Sequence, residues 1–333
     1  MGTPNRGPRQ GWETLLKQGL TEPLSDRSDA VPFLVVDNRS EIREFLASRR
    51  ARITREQAGL PVFGGTRRVP GLRREEVAML AGVSVDYYTR LERGNFKGVS
   101  ETVLEALARG LQLDEAERAH LFDLARAAGP TTARPRGQPP QQVRPSVQRI
   151  LDSMTGAPAF AQNGHLDVLA ANRLGHALNS EMFADPIRPA NLARFVFSNP
   201  RSRDFFADWD RAANDTVAIL RSEAGRDPYD RGLSDLVGEL STRSEEFRVR
   251  WAAHDVRIHR TGVKHVRHPV VGDLDLTFEM MELSADPGLS ILTYSAEPGT
   301  TSEEALGLLG SWAATLEQEE QERARATDDA RRA

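Results

Sequence analysis

The chain has 333 residues, a formal net charge of −4 and no cysteine. That length suits two domains, each able to bury its own core, and the lack of cysteine excludes disulfides and thiolate metal sites. No apolar run approaches the roughly 18 residues of a spanning helix, and Pro4, Arg6, Pro8 and Arg9 stand where a signal peptide would carry its apolar core, so a soluble, cytoplasmic protein is expected.

Residues 1–37 mix Pro, Gly, Ser and Asp around one apolar patch, Trp12, Leu15, Leu16 and Leu20; they read as a disordered or partly helical extension. A first helix should begin near Arg39, capped by Asn38 or Ser40, with Ile42, Phe45 and Leu46 at helical spacing. The Pro- and Gly-rich stretch from Ala58 to Gly71 is a long loop carrying Arg67 and Arg68. Leu72 to Gly94 then has the pattern of a helix-turn-helix. Ala78 is the small residue where two helices touch, Gly82 supplies the turn, and Val77, Ala81, Val83, Tyr88 and Leu91 face inward. Ser100 caps a fourth helix, and Asp114 with Glu117 opens a fifth. Residues 38–128 are thus expected as a five-helix domain, and 129–146 as a Pro-rich linker.

The second half, 147–318, opens with a helical turn at Val147 to Met154 and two strands within Ala157 to Asn172, turning at Asn163-Gly164. Helices follow near Arg173 to Met182, around Leu192 to Phe197, from about Arg203 to Glu223, and at Leu233 to Ser241 and Ser244 to Ala253. The period then changes to two, with strands around Val256 and Ile258, Val263 and Val266, Leu274 to Met280, and Leu289 to Tyr294. Turn signals are expected at Thr261-Gly262, Gly272-Asp273 and Pro287-Gly288. Thr301 and Glu304 make a capping box for a last helix through Leu316, leaving 319–333 as a charged, frayed tail. The fold class is therefore an all-α head plus an α+β domain with one antiparallel sheet.

Charge divides along the same line. From Asn38 to Leu111 there are fourteen Lys and Arg against nine Asp and Glu, and from Gln148 to Ala333 twenty-one against thirty. A basic head with an acidic body suits a nucleic-acid-binding module attached to one that does not bind DNA.

The residues EEVAMLAGVS followed by YYTRLERG resemble the lambda-repressor-like, or XRE, helix-turn-helix family. One departure is Arg74, where that family most often has a glutamine bracing the recognition helix against a phosphate. The longer stretch VPGLRREEVAMLAGVSVDYYTRLERG, with DVLAANRLGHAL, the Asp208-Trp209 pair, ELS at 239–241 and EFRVRWAAHDV, is similar to regulators whose second half is an MmyB-like ligand-binding domain. The resemblance implies a PAS-like sensor behind a DNA-binding head, with a fatty-acid-like effector and no other cofactor.

Phosphate neutralisation supplies most affinity for DNA and base edges supply discrimination. Base contacts are expected from Ser84, Val85, Asp86, Thr89 and Arg90, at the N-terminal part of the recognition helix. Phosphate contacts are expected from Arg67, Arg68, Arg73, Arg74, Tyr87, Arg93 and Lys97, while Glu92 should be an internal brace. A homodimer would read half-sites about 34 Å apart. In the second half, a ligand cavity would draw on Phe160, Leu169, Phe195, Trp209, Trp251, Phe278, Met280, Leu292 and Tyr294, with Asn172, His254 and Arg257 as polar anchors.

No catalytic or metal site is expected. There is no GxSxG, no phosphate loop and no HExxH, and His265 and His268 would face opposite sides of a strand. The expected function is a sequence-specific transcriptional regulator, acting as a repressor, that senses a small lipophilic effector. Two other readings stay open: a constitutive DNA-binding protein whose second domain only dimerises, and an enzyme-derived domain acting on the small molecule.

Overall fold

The computed structural model describes residues 38–61, 71–129, 142–256 and 260–332. The N-terminal extension, most of the Pro-rich linker, and Arg67, Arg68 and Arg257 lie outside the described residues.

Five helices build the head: α1 (Asn38–Arg52), α2 (Arg74–Leu80), α3 (Val85–Glu92), α4 (Glu101–Gly110) and α5 (Glu115–Ala127). Their starts follow local chemistry. Ser84, Ser100 and Asp114 each accept a hydrogen bond from the backbone N–H three residues on, and Glu117 reciprocates to the Asp114 N–H. Ile42, Phe45, Leu46, Val77, Tyr88, Leu91, Leu104, Leu107 and Leu121 close one core. Val256, expected in a strand of the second half, instead packs into this head core.

The second domain begins with α6 (Pro145–Ser153), β1 (Ala159–Asn163), β2 (Asp167–Ala171), α7 (Arg173–Leu178), α8 (Ser180–Phe183), β3 (Ala190–Asn191) and α9 (Leu192–Ser198). It continues with α10 (Ser202–Phe205), α11 (Trp209–Arg226), α12 (Arg231–Arg243), α13 (Glu245–Ala252), β4 (Thr261–His268), β5 (Gly272–Glu282), β6 (Leu289–Ser295) and α14 (Thr301–Arg332). The six strands form one antiparallel sheet in the order β3-β2-β1-β6-β5-β4. Phe160, Leu276, Phe278 and Leu292 face the main helical layer on one side, while Ala159, Ala161 and Ile291 meet α6 on the other. Coverage of both faces explains why β1 is buried at four successive positions.

Several expectations shift. The single helix expected from Arg203 to Glu223 is broken at Phe206 to Asp208, by an extended residue at Phe206 and a turn after it. There the Ala207 N–H donates to the His265 carbonyl (3.1 Å) and shields the edge of β4. Thr261-Gly262 is not a turn but the start of β4, paired with Glu279 and Phe278. Glycine serves there because a Cβ at 262 would lie 3.0 Å from the Phe278 ring. The cap of α14 is Thr300 with Glu303, one residue before the expected pair, and the helix continues past Leu316 to Arg332. Among the described residues no helix is long and apolar enough to cross a membrane.

Candidate DNA-binding surface and sensor cavity

The recognition surface starts from a turn that fixes two helices. Gly82 has φ +64°, and the Val83 N–H donates to the Ala78 carbonyl (2.9 Å), closing the end of α2 before Ser84 opens α3. Tyr88, Leu91 and Glu92 point into the head. Val85, Asp86, Thr89, Arg90 and Arg93 recur at helical spacing on the opposite side, Thr89 half-buried and the others exposed. Arg90 lies over the Tyr87 ring, 4.8 Å from its centroid. Arg73, Arg74 and Lys97 are also exposed, so every described residue expected at DNA reaches the surface, Tyr87 partly.

Glu92 is 2% exposed and is the brace expected of it. Its carboxylate accepts from Arg50 Nε on α1 (2.7 Å) and from Arg74 Nε on α2, so one buried anion ties three helices. Arg50 also donates to the Leu72 carbonyl (2.9 Å). Where the resembled family places a glutamine, Arg74 binds Glu92 while keeping a half-exposed side chain.

In the second domain a cavity opens between the sheet and the helices. Phe160, Leu178, Met182, Phe205, Phe206 and Tyr294 supply its apolar wall; Ala212 and Thr216 of α11 border it, and Lys264 of β4 enters from the sheet. The open space is about 30 Å³, room for a water molecule or two. A larger guest requires its wall to yield, for which the flexible Met182 is suited. The Lys264 ammonium lies 3.6 Å from the Asp215 carboxylate and 5.4 Å from the centre of the Phe278 ring. Burial pushes this lysine below its usual pKa against the pull of Asp215. Burial likewise raises the pKa of the Tyr294 phenol.

Of the residues expected at the ligand, Phe160 and Tyr294 line the cavity. Phe278, Met280 and Leu292 stand on the same face of the sheet, as core around the lining. Phe195 packs edge-on against Phe205, 5.7 Å between centroids, and Trp209 donates to the Val196 carbonyl and Ser202 hydroxyl. Leu169 falls at a β-bulge, skipped between the Ala161–Ala170 and Gln162–Val168 pairs. Asn172 is not brought to the cavity. It caps α7, accepting from Gly175 and Ala159 N–H groups and donating to the Met154 and Ala157 carbonyls, so its hydrogen-bonding capacity is used by the scaffold. Trp251 stacks on Phe247 and carries the Arg221 guanidinium 4.1 Å from its centroid, while His254 lies against α1 of the head. These two belong to the contact between domains.

Lys264 was missed because a lysine contradicts the apolar alternation that marks an inward strand position. Val263 and Val266 suggest a period, but they have opposite parity, and it is Lys264, Val266 and His268 that turn inward, leaving Val263 exposed. Among the described residues no cluster of three or more His, Asp or Glu could hold a metal ion.

Comparison with known families gives two matches in chain order. A model described as a helix-turn-helix domain matches residues 46–121, and one described as an MmyB-like transcription regulator ligand binding domain matches residues 143–309. A search of curated proteins found no match.

Proposed function

The chain belongs to the MmyB-like transcription regulator family, with a helix-turn-helix domain ahead of the ligand-binding domain, and from that premise we propose how the two halves work. The head, 38–128, binds operator DNA through Ser84, Val85, Asp86, Thr89 and Arg90 at base edges. Arg67, Arg68, Arg73, Arg74, Tyr87, Arg93 and Lys97 contact phosphates. The protein acts as a homodimeric repressor on paired half-sites, and residues 129–146 link the head to a sensor at 147–318.

The effector is an anionic amphiphile of the fatty-acid class. The observation that carries this reading is one ammonium, Lys264, set in an otherwise mainly apolar cavity wall. An apolar body displaces the mobile wall while a carboxylate head pairs with Lys264, the usual division of labour in a ligand pocket. The test is solvent extraction of the purified protein with mass spectrometry, followed by titration with sodium laurate. Lys264→Met is expected to weaken laurate binding about tenfold or more, the cost of losing a hydrogen bond to a charged group. Equal binding by the variant and the parent, or no binding by the parent, contradicts the assignment.

A further inference from the structure

Helix α11 touches two places that function requires to communicate. Ala212 and Thr216 border the cavity, and Asp215 holds Lys264. Five residues beyond Thr216, about 7.5 Å along the helix, Arg221 enters the contact with the DNA-binding head. Arg221 is fully buried, a costly place for a charge unless it is paired. The guanidinium binds the Glu41 carboxylate of α1, the Trp251 carbonyl and His254 Nδ1 (2.8 Å). Glu41 is itself buried; burial alone would raise its carboxyl, but Arg221 together with His120 and His254 outweighs this and holds it well below the usual range.

Further bonds and one close approach join the two domains around this pair. His254, at φ +54°, bonds Glu44 through Nε2 (2.7 Å), and its carbonyl accepts from Arg49 (2.5 Å). On the far side of Arg221, Gly225 lies so close to α5 that a Cβ there would fall 2.4 Å from the His120 ring. Helix α1 cannot drift from α11 without exposing or unpairing buried charge. Nine residues after Glu41, the same helix presents Arg50 to Glu92 at the end of the recognition helix.

We propose that Arg221 is a positioning residue that couples the cavity to the DNA surface: α11 sets α1 through Arg221 and Glu41, and α1 sets α3 through Arg50 and Glu92. This deepens, and rests on, the reading of the cavity as the effector site. An effector that widens the cavity shifts α11, and the shift reaches α3 because an ion pair to a buried carboxylate stands at each junction.

The test replaces the effector with a substitution. In the full chain, Ala212→Leu crowds the cavity from α11, and hydrogen–deuterium exchange is followed over α1 and α3. The comparison background is Glu41→Met with Arg221→Met, which exchanges the ion pair for apolar side chains of similar length, a replacement that buried pairs often tolerate. The expected result is that Ala212→Leu changes exchange in both helices by about threefold or more in the parent and leaves it nearly unchanged in the double variant. Equal responses in the two backgrounds, including none in either, overturn the proposal. Should the double variant fail to fold by circular dichroism, Arg221→Lys, which keeps the charge without the fork, replaces it under the same criteria. Sodium laurate added to the parent reports separately: absence of binding removes the effector reading, while the Ala212→Leu comparison still decides the coupling.

Discussion

At Arg90 the guanidinium rests on the Tyr87 ring on the exposed side of α3, which limits its freedom. Arg90→Ala is expected to cost about 1–3 kcal/mol and to relax preference at one base pair. Binding to duplexes substituted one position at a time checks it, and uniform weakening would move Arg90 to the phosphate contacts. His165 gives a pH signature away from both sites. Burial opposes its charge, yet Asp230 at 2.9 Å and Asp167 outweigh that and raise its pKa above the usual 6.5. Stability from this histidine is therefore fully present below its unfolded pKa of about 6.5 and is lost as pH rises through the raised folded value. His165→Gln should flatten that decline in urea unfolding between about pH 6 and about pH 8; an unchanged slope would assign the dependence to other groups.

Among the elements, the two glycines bracketing α3 separate conformational strain from close packing. Gly82 has φ +64° and open space where a Cβ would stand, so alanine there pays only the left-handed penalty, about 1–2 kcal/mol. Gly94 has φ +86° and a Cβ would fall 2.3 Å from the Arg39 carbonyl oxygen, so Gly94→Ala should destabilise more than Gly82→Ala in thermal melts. The reverse order would mean that α1 and the end of α3 are less tightly apposed. Caps and periodicity made the later helices of the head legible in the sequence, since Ser100 and Asp114 act within four residues of themselves, whereas the cap at Ser84 was found only in the structure. The sheet was legible as strands but not as a register. The inward Lys264 and the extended break at Phe206 are set by partners distant in sequence, which no local pattern encodes, while the bulge at Leu169 is a detail of hairpin register that alternation does not reveal. The cavity was legible to the extent that Phe160 and Tyr294 are large and apolar; its α8, α10 and α11 walls were not.

For the whole molecule, the charge asymmetry read from the sequence marks which domain meets DNA, but not how the acidic domain is held against the basic one. That contact rests on buried residues of like chemistry to those at the surface, Glu41, Arg49, Arg221 and His254, whose burial depends on both domains being folded. In the sequence they are indistinguishable from solvated charges. On the proposed reading, occupancy of the second domain's cavity controls the affinity of α3 for DNA. The most direct test is fluorescence anisotropy on a duplex selected by the full-length protein from a random library, titrated with and without saturating sodium laurate. Laurate is expected to shift the Kd by roughly fivefold or more, the lower range of allosteric coupling. Saturating, verified laurate binding that leaves the Kd unchanged would contradict it.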